Sequence, residues 1–406
     1  MAQHGRPPSP RILPVMTMVT GVSAYNRLFA ANVLGLIATG IATVALALLA
    51  YDLEGDHSGA VLGTALSLKM AVSVVVPLLA SAHATAVHRR EWLVSLNLIR
   101  AGILLLLPFV DAAWQIYLLI VLFQSAAAAS RATYLAIVPD MLPDEAEYAR
   151  AVMKTRIAYS AEGLLSPAFA GLLLLFVNFR SVFVAAMVLF AIAATITAGL
   201  AIPAGKSALQ MMIPRTAANI RALIANPALR GALAISAAAI TVNAMVLVNT
   251  IVLVRGVFGL DDRAAAIGLA AFGAGSIIAA LLLPRLISRR GERAVMIWSG
   301  AAMTALLIAG AGLQSYLAMI ALWIALGVLS TLGHLPVELL LRRMTERGDR
   351  QGLYAAHYSI DSTLLLIAYL AAGWIGAEEG MVAAFISLGL LSGLMTLLAM
   401  TAWSAR

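Results

Sequence analysis

Along the chain, apolar positions come in long unbroken runs separated by short charged or turn-rich segments. This is neither the alternation of a half-buried strand nor the one-sided stripe of a soluble helix. Twelve runs can be marked by their polar borders: 28–50, 58–80, 92–110, 114–137, 157–178, 181–203, 231–254, 264–284, 294–311, 315–337, 355–376 and 381–403. Each holds roughly 18–25 residues, enough to cross a hydrocarbon core of about 30 Å as a helix. Six runs precede and six follow a polar stretch. The pattern predicts an all-α membrane protein with twelve transmembrane helices. Its expected organisation is a tail at 1–27, a six-helix half at 28–203, a linker at 204–230 and a second six-helix half at 231–406. Pro7, Pro8 and Pro10 break up the start of the tail, which lacks the pattern of a cleaved signal.

Composition agrees. The chain is 62% hydrophobic and only 11% charged, with a mean hydropathy of +0.95; a soluble surface would need far more polar residues. The absence of cysteine rules out a disulfide framework and thiolate metal sites. A formal net charge of +8 would suit nucleic-acid binding, but the basic residues concentrate in alternate loops. With the N-terminus inside, the cytoplasmic segments carry most of them, including Arg89, Arg90, Arg150, Lys154, Arg289 and Arg290. The outer loops carry Arg180, Arg255 and Arg263 against a larger set of acids, among them Asp52, Asp56, Asp261, Asp262 and Glu378. The charge is therefore a topology signal that puts both termini in the cytoplasm, and no nucleic-acid partner is expected.

The two halves repeat one another. Tyr159-Ser160-Ala161-Glu162-Gly163-Leu164-Leu165 in span five returns in span eleven as Tyr358-Ser359-Ile360-Asp361-Ser362-Thr363-Leu364-Leu365. Gln115, Tyr117 and Leu118 match Gln314, Tyr316 and Leu317 at the same offset. An unpaired acid at such depth costs about 2.5–3.5 kcal/mol to insert, so Glu162 and Asp361 at equivalent points are the first candidates for function.

Further stretches carry a family likeness. They are Tyr25-Asn26-Arg27-Leu28-Phe29, Leu49-Ala50-Tyr51-Asp52-Leu53, Leu98-Ile99-Arg100-Ala101, Pro139 to Glu145 and Asn226 to Arg230. On these residues the chain resembles an exporter of the major facilitator superfamily, of the macrolide-efflux and enterobactin-exporter-like branch. Leu62 to Met70 and Tyr159 to Pro167 resemble a nickel-resistance-type subgroup. The resemblance implies two pseudo-symmetric six-helix bundles with a substrate site between them near the midplane. The chain also departs from the superfamily's motifs. Ser81 to Arg90 lacks the Asp and first Arg of the usual loop, Ser166-Pro167 stands where drug antiporters have Gly-Pro, and no Arg occurs early in span four.

Within that frame, Glu162 and Arg131 lie at similar depths on sequential spans and are expected to pair, with Tyr159 and Tyr358 flanking the two acids. Lys69, deep in span two, faces span eleven in the resembled fold and is expected to bridge Asp361 across the halves. The plainer reading of each pair is a structural ion pair that lets both residues insert; the other is proton coupling or substrate binding. His334 and Glu338 share a helix face at i, i+4, as do His357 and Asp361, so a divalent-metal site is a candidate if these converge. Asn32, Gln124, Asn243 and Asn249 are polar points on the cavity-lining helices of the resembled fold, or else interhelical glue. Gly273, Gly275 and Ser276 are expected to pack closely, against span five.

No phosphate-binding glycine loop or nucleophile–base pair is present in a soluble setting, so neither ATP-driven transport nor enzyme activity is expected, and no cofactor. The expected protein is a monomeric, proton-coupled exporter of the bacterial inner membrane. Its partners would be the lipid bilayer, protons and a small organic or metal-ion substrate.

Overall fold

A computed structural model of the chain describes residues 13–80, 88–142, 144–174, 176–203, 213–344 and 350–404. Among these residues there is no strand, and thirteen α-helices follow one another. The first half holds α1 (Leu13–Glu54), α2 (Ser58–Ala80), α3 (Arg89–Leu106), α4 (Ala113–Met141), α5 (Glu145–Leu174) and α6 (Phe179–Ala198). A short α7 (Ile213–Ala225) leads to α8 (Pro227–Ile251), α9 (Asp262–Arg290), α10 (Glu292–Gly310), α11 (Tyr316–Met344), α12 (Arg350–Glu378) and α13 (Gly380–Ser404). Ten stretches among the described residues are long and apolar enough to cross a membrane, and the first, Val22–Val76, takes in most of both α1 and α2. With α5 they make up twelve long helices of a multi-pass membrane protein. Residues 1–12, 81–87 and 204–212 lie outside the described set, as do the side chains of Ser166 and Pro167. The prolines of the expected tail, the loop motif after span two and the span-five motif fall there, whereas residues 13–27 of that tail are the start of α1.

Local chemistry sets several boundaries. Asn178, Asn226 and Asp261 each accept a backbone N–H of the first turn of α6, α8 and α9, which satisfies donors the helix itself cannot. Pro227 follows Asn226 at the first helical position, where its missing N–H costs nothing. Gly380, at φ 86°, makes the turn between α12 and α13. The predicted linker is partly helical: Leu223 of α7 is buried with Leu229 and Trp403, while Arg221 stays exposed.

The two halves pack by the same rules. In the first, α1 lies on α6 and α5, α2 on α4, and α3 on α6 and α4; the second pairs α8 with α13 and α12, α9 with α11, and α10 with α13 and α11. Across the halves α2 meets α12 and α5 meets α9, again equivalent pairs. This is the pseudo-symmetric twelve-helix bundle that the repeat implied.

Because lipid is as apolar as leucine, helix association in a membrane depends on close packing and interhelical hydrogen bonds. Leu281, Leu317 and Leu390 accordingly point outward, while glycines mark the tightest contacts. A Cβ on Gly63 would meet the Tyr369 carbonyl, and one on Gly373 the Gly59 carbonyl, which locks α2 to α12. Gly275 and Ser276 pack on α11 through Ile324 and Gly327, not on α5. The α5 contact with α9 is made one helix end away, by Gly171 against Ala266. Span eight thus uses Gly275 and Ser276 within its own half and Ala266 across the halves.

The bundle has two distinct ends. At one, Arg255 bridges Asp52 of the first half at 2.9 Å and Asp262 at 3.2 Å. The α8 chain continues to it as a π-helical segment, Val252–Val257. At the other, Arg89 bridges Asp140 at 2.5 Å among the basic loops. These are called the acidic and basic ends below. The glycine contacts that join the halves lie toward the acidic end.

Candidate functional site

Arg131, at mid-depth on α4, has its guanidinium 4.4 Å from the ring of Tyr159 and 5.5 Å from the ring of Tyr358. The first tyrosine of each repeat copy therefore converges on one cation, from α5 of one half and α12 of the other. A guanidinium over an aromatic face is held by the ring quadrupole, an attraction that strengthens when water is excluded. The Tyr358 hydroxyl faces Arg131, Ser73 and Ser362. Glu162, one turn beyond Tyr159, feels the charges of Lys69 and Arg131. Neither cation makes a contact ion pair with it.

These groups line a cavity of about 70 Å³ that runs from mid-depth toward the basic end, inside the first half. Lys69, Arg131, Tyr159 and Glu162 share it with Asn32 and Gln124, so six residues singled out from the sequence come together. Gln124 donates to Ser73 at 2.6 Å, whereas the Asn32 amide nitrogen is buried without a partner. The cavity also contains Arg100, buried to 7% exposure. Its guanidinium lies 4.4 Å from the Phe190 ring and donates to Asn97, to Ser130 at 3.1 Å and to the Leu96 carbonyl. Sequence reasoning did not single it out, although a mid-span arginine is itself a signal.

Asp361 belongs to a second cluster. Its carboxylate lies 3.5 Å from His357 Nε2 and 3.9 Å from His334 Nε2. Ser236 of α8 reaches His334 Nδ1 at 2.8 Å and donates to Asp361 at 3.4 Å. A hydroxyl has one proton to give, so when Ser236 gives it to Asp361, His334 Nδ1 is the donor to Ser236. The rings of His334 and His357 are 6.1 Å apart. Glu338 is close enough to act on the charge of His357, yet no group of three or more His, Asp or Glu among the described residues is arranged to hold a metal ion.

Three expected placements are corrected. Lys69 and Asp361 form no ion pair; Lys69 turns into the first-half cavity while Asp361 is taken by imidazoles of its own half. Glu162 and Arg131 are neighbours rather than a contact pair, because the arginine lies between tyrosine rings. Asn243 and Asn249 hold helices together and do not line the cavity: Asn243 donates to Ser330 at 2.8 Å, and Asn249 to the Ala372 carbonyl at 3.1 Å.

The arrangement is that of a helical membrane protein with a polar chamber beside the interface of two equivalent bundles. Solved transporters share this fold. A point mutant of the nucleoside transporter NupG is similar at a TM-score of 0.71 and 13% identity, covering 93% of this chain and 99% of that one. A bacterial homologue of the human lysosomal transporter Spinster, in an inward-facing and occupied conformation, reaches 0.71 at 12% identity over 93% and 97%. A POT family transporter bound to a thioalcohol-conjugated peptide reaches 0.65 at 12% identity over 93% and 96%. In sequence, residues 232–405 match the family model of the Major Facilitator Superfamily. No curated protein matches the chain.

Proposed function

We propose that the protein is a secondary transporter of the major facilitator superfamily, exporting a small organic solute across a bacterial inner membrane in exchange for protons. Both termini are cytoplasmic, so the basic end faces the cytoplasm, and the chain acts as a monomer. The observation that carries this reading is Glu162: a repeat-encoded acid inside a polar chamber, beside two cations, next to the contact between halves.

Ionised, Glu162 offsets part of the charge of Lys69 and Arg131; protonated, it releases that attraction. Arg131 touches both halves through Tyr159 and Tyr358, so a change in its electrostatic partner acts on a contact that must break when the halves rock. Only an interaction that differs between two states can shift their balance, and this one differs by construction. The acidic end, closed by Gly63, Gly373 and the Arg255 bridge, is the part that opens in the alternate state.

Divalent-metal export is the rival reading: His334 and His357 both approach Asp361, although among the described residues no such group is arranged to hold a metal ion. Growth of a deletion strain across metals and lipophilic drugs separates the two. The direct test of the first is Glu162→Gln in inverted vesicles. Gradient-driven efflux should be lost with expression intact, and full transport with unchanged pH dependence would remove Glu162 as the coupling site.

A further inference from the structure

Charge in the first-half cavity is unbalanced. Lys69, Arg100 and Arg131 all line it, and Glu162 is the only carboxylate among the lining residues. Among the described residues, none of the three cations is neutralised by direct contact. Arg100 is hydrogen-bonded only to neutral oxygens and stacked on Phe190. Arg131 is placed against tyrosine rings. Lys69 makes no ion pair with any of them. Buried charge without a counter-charge is costly, and a chain that keeps three cations against one acid has left room for a negative ligand. The uncharged lining points the same way. Asn32, also in the lining, carries a buried amide nitrogen, a donor, without a hydrogen-bond partner.

We propose that this cavity is a binding site for a small organic anion, one bearing a carboxylate or phosphate on an apolar body. The anion lies between Lys69 and Arg131 and takes the Asn32 amide as a donor. The Tyr134 and Tyr159 rings and Leu28 of the same wall cover its apolar part. Arg100 keeps three of its five N–H donors on Leu96, Asn97 and Ser130 and contributes field more than contact. Glu162 and the ligand compete for the same two cations, so the acid weakens binding when ionised. The site rests on the transporter reading for its physiological meaning but stands on its own as a binding site.

The test uses the purified full chain in detergent and a matched aromatic set: benzoate, phenyl phosphate and benzylamine, of similar size and opposite charge. Benzoate or phenyl phosphate should raise the melting temperature in a saturable way, and benzylamine should not. Stabilisation by benzylamine alone, or by none of the three, overturns the proposal, and neither result depends on a variant folding. Arg131→Gln and Lys69→Gln should each weaken the anion by about ten- to hundred-fold, the loss of one charge-assisted contact, while Glu162→Gln should tighten it. Unchanged affinity in both cation variants, each shown by gel filtration to be folded, also overturns the site. Counterflow of the bound anion in proteoliposomes separates the two readings. Binding without counterflow leaves the site and removes transport; counterflow of other solutes without anion binding does the reverse.

Discussion

Glu162 and Asp361 occupy the same place in the two repeat copies and live in opposite surroundings. Glu162 is one acid among three cations, in a cavity that extends to the basic end. Asp361 is one acid between two imidazoles, fastened by Ser236 and, among the described residues, without a lysine or arginine in contact. An imidazole can be neutral or cationic near neutral pH whereas a guanidinium stays charged, so Asp361 sits between groups whose charge can vary, while Glu162 faces a lysine and two arginines. A gene-level repeat gives two halves the same scaffold. The side chains that each half brings from other helices decide what its acid can do: Lys69 and Arg131 in one case, His334 and Ser236 in the other.

The strongest way to break this contrast is to remove each acid's charge. Glu162→Gln should reduce gradient-driven flux in inverted vesicles by about tenfold or more, within the range of coupling energies between such states. Asp361→Asn should retain more flux. Equal loss in both would mean that the two acids act alike despite their surroundings.

Charge swaps come next. Lys69→Glu combined with Glu162→Lys should recover part of the transport lost in either single variant, because both side chains line one cavity. Lys69→Asp combined with Asp361→Lys should recover none. Rescue by the second pair and not the first, measured as solute flux, would show that a state exists in which Lys69 meets Asp361.

A smaller effect is expected at the tyrosine that joins the halves. Tyr358→Phe keeps the ring beside Arg131 and should change flux about twofold or less, while Tyr358→Ala loses a contact of roughly 0.5–2 kcal/mol. Matching behaviour of the two variants would assign the role to the hydroxyl, which faces Ser73 and Ser362.

Ser236→Ala should be the mildest. It deletes the hydroxyl's bond with His334 and its long bond to the Asp361 carboxylate, worth about 1 kcal/mol together because the second is weak, and should show as a small drop in detergent melting temperature. A drop as large as that of Asp361→Asn would mean that the serine, rather than the imidazoles, holds the carboxylate.

Much of the architecture was legible before the structure. In lipid every backbone group must be satisfied within the segment, so a run of some twenty apolar residues commits to a helix whatever its neighbours are, and the long helices contain the predicted spans to within a few residues. The repeat copies at Tyr159 and Tyr358 already implied two equivalent halves. Helix α7 was less legible, because Leu223 finds its apolar pocket only when α8 and α13 supply Leu229 and Trp403.

The site was legible as a list and not as a map. Residues such as Lys69, Glu162, Arg131, His357 and Asp361 stand out because charged and titratable groups at membrane depth are rare. Their partners do not follow from depth. Lys69 and Asp361 face each other on paper as opposite charges on packed helices, yet helix rotation turns Lys69 into the first-half cavity and His334 toward Asp361. Asn32 and Asn249 read alike in sequence, but the amide nitrogen of one, a cavity-lining residue, has no partner while that of the other donates to the Ala372 carbonyl.

By itself the sequence determined the solvent, the position of the twelve long apolar spans and the few polar groups that had to be accommodated, since each of these follows from one segment's own transfer energy, and the repeat followed from comparing two such segments. The tertiary structure alone decided which of those groups share a cavity. That depends on the rotation of each helix about its axis, which is fixed by where Gly63, Gly171, Gly275 and Gly373 let neighbouring backbones touch. Such contacts are settled between helices, and no single segment encodes them.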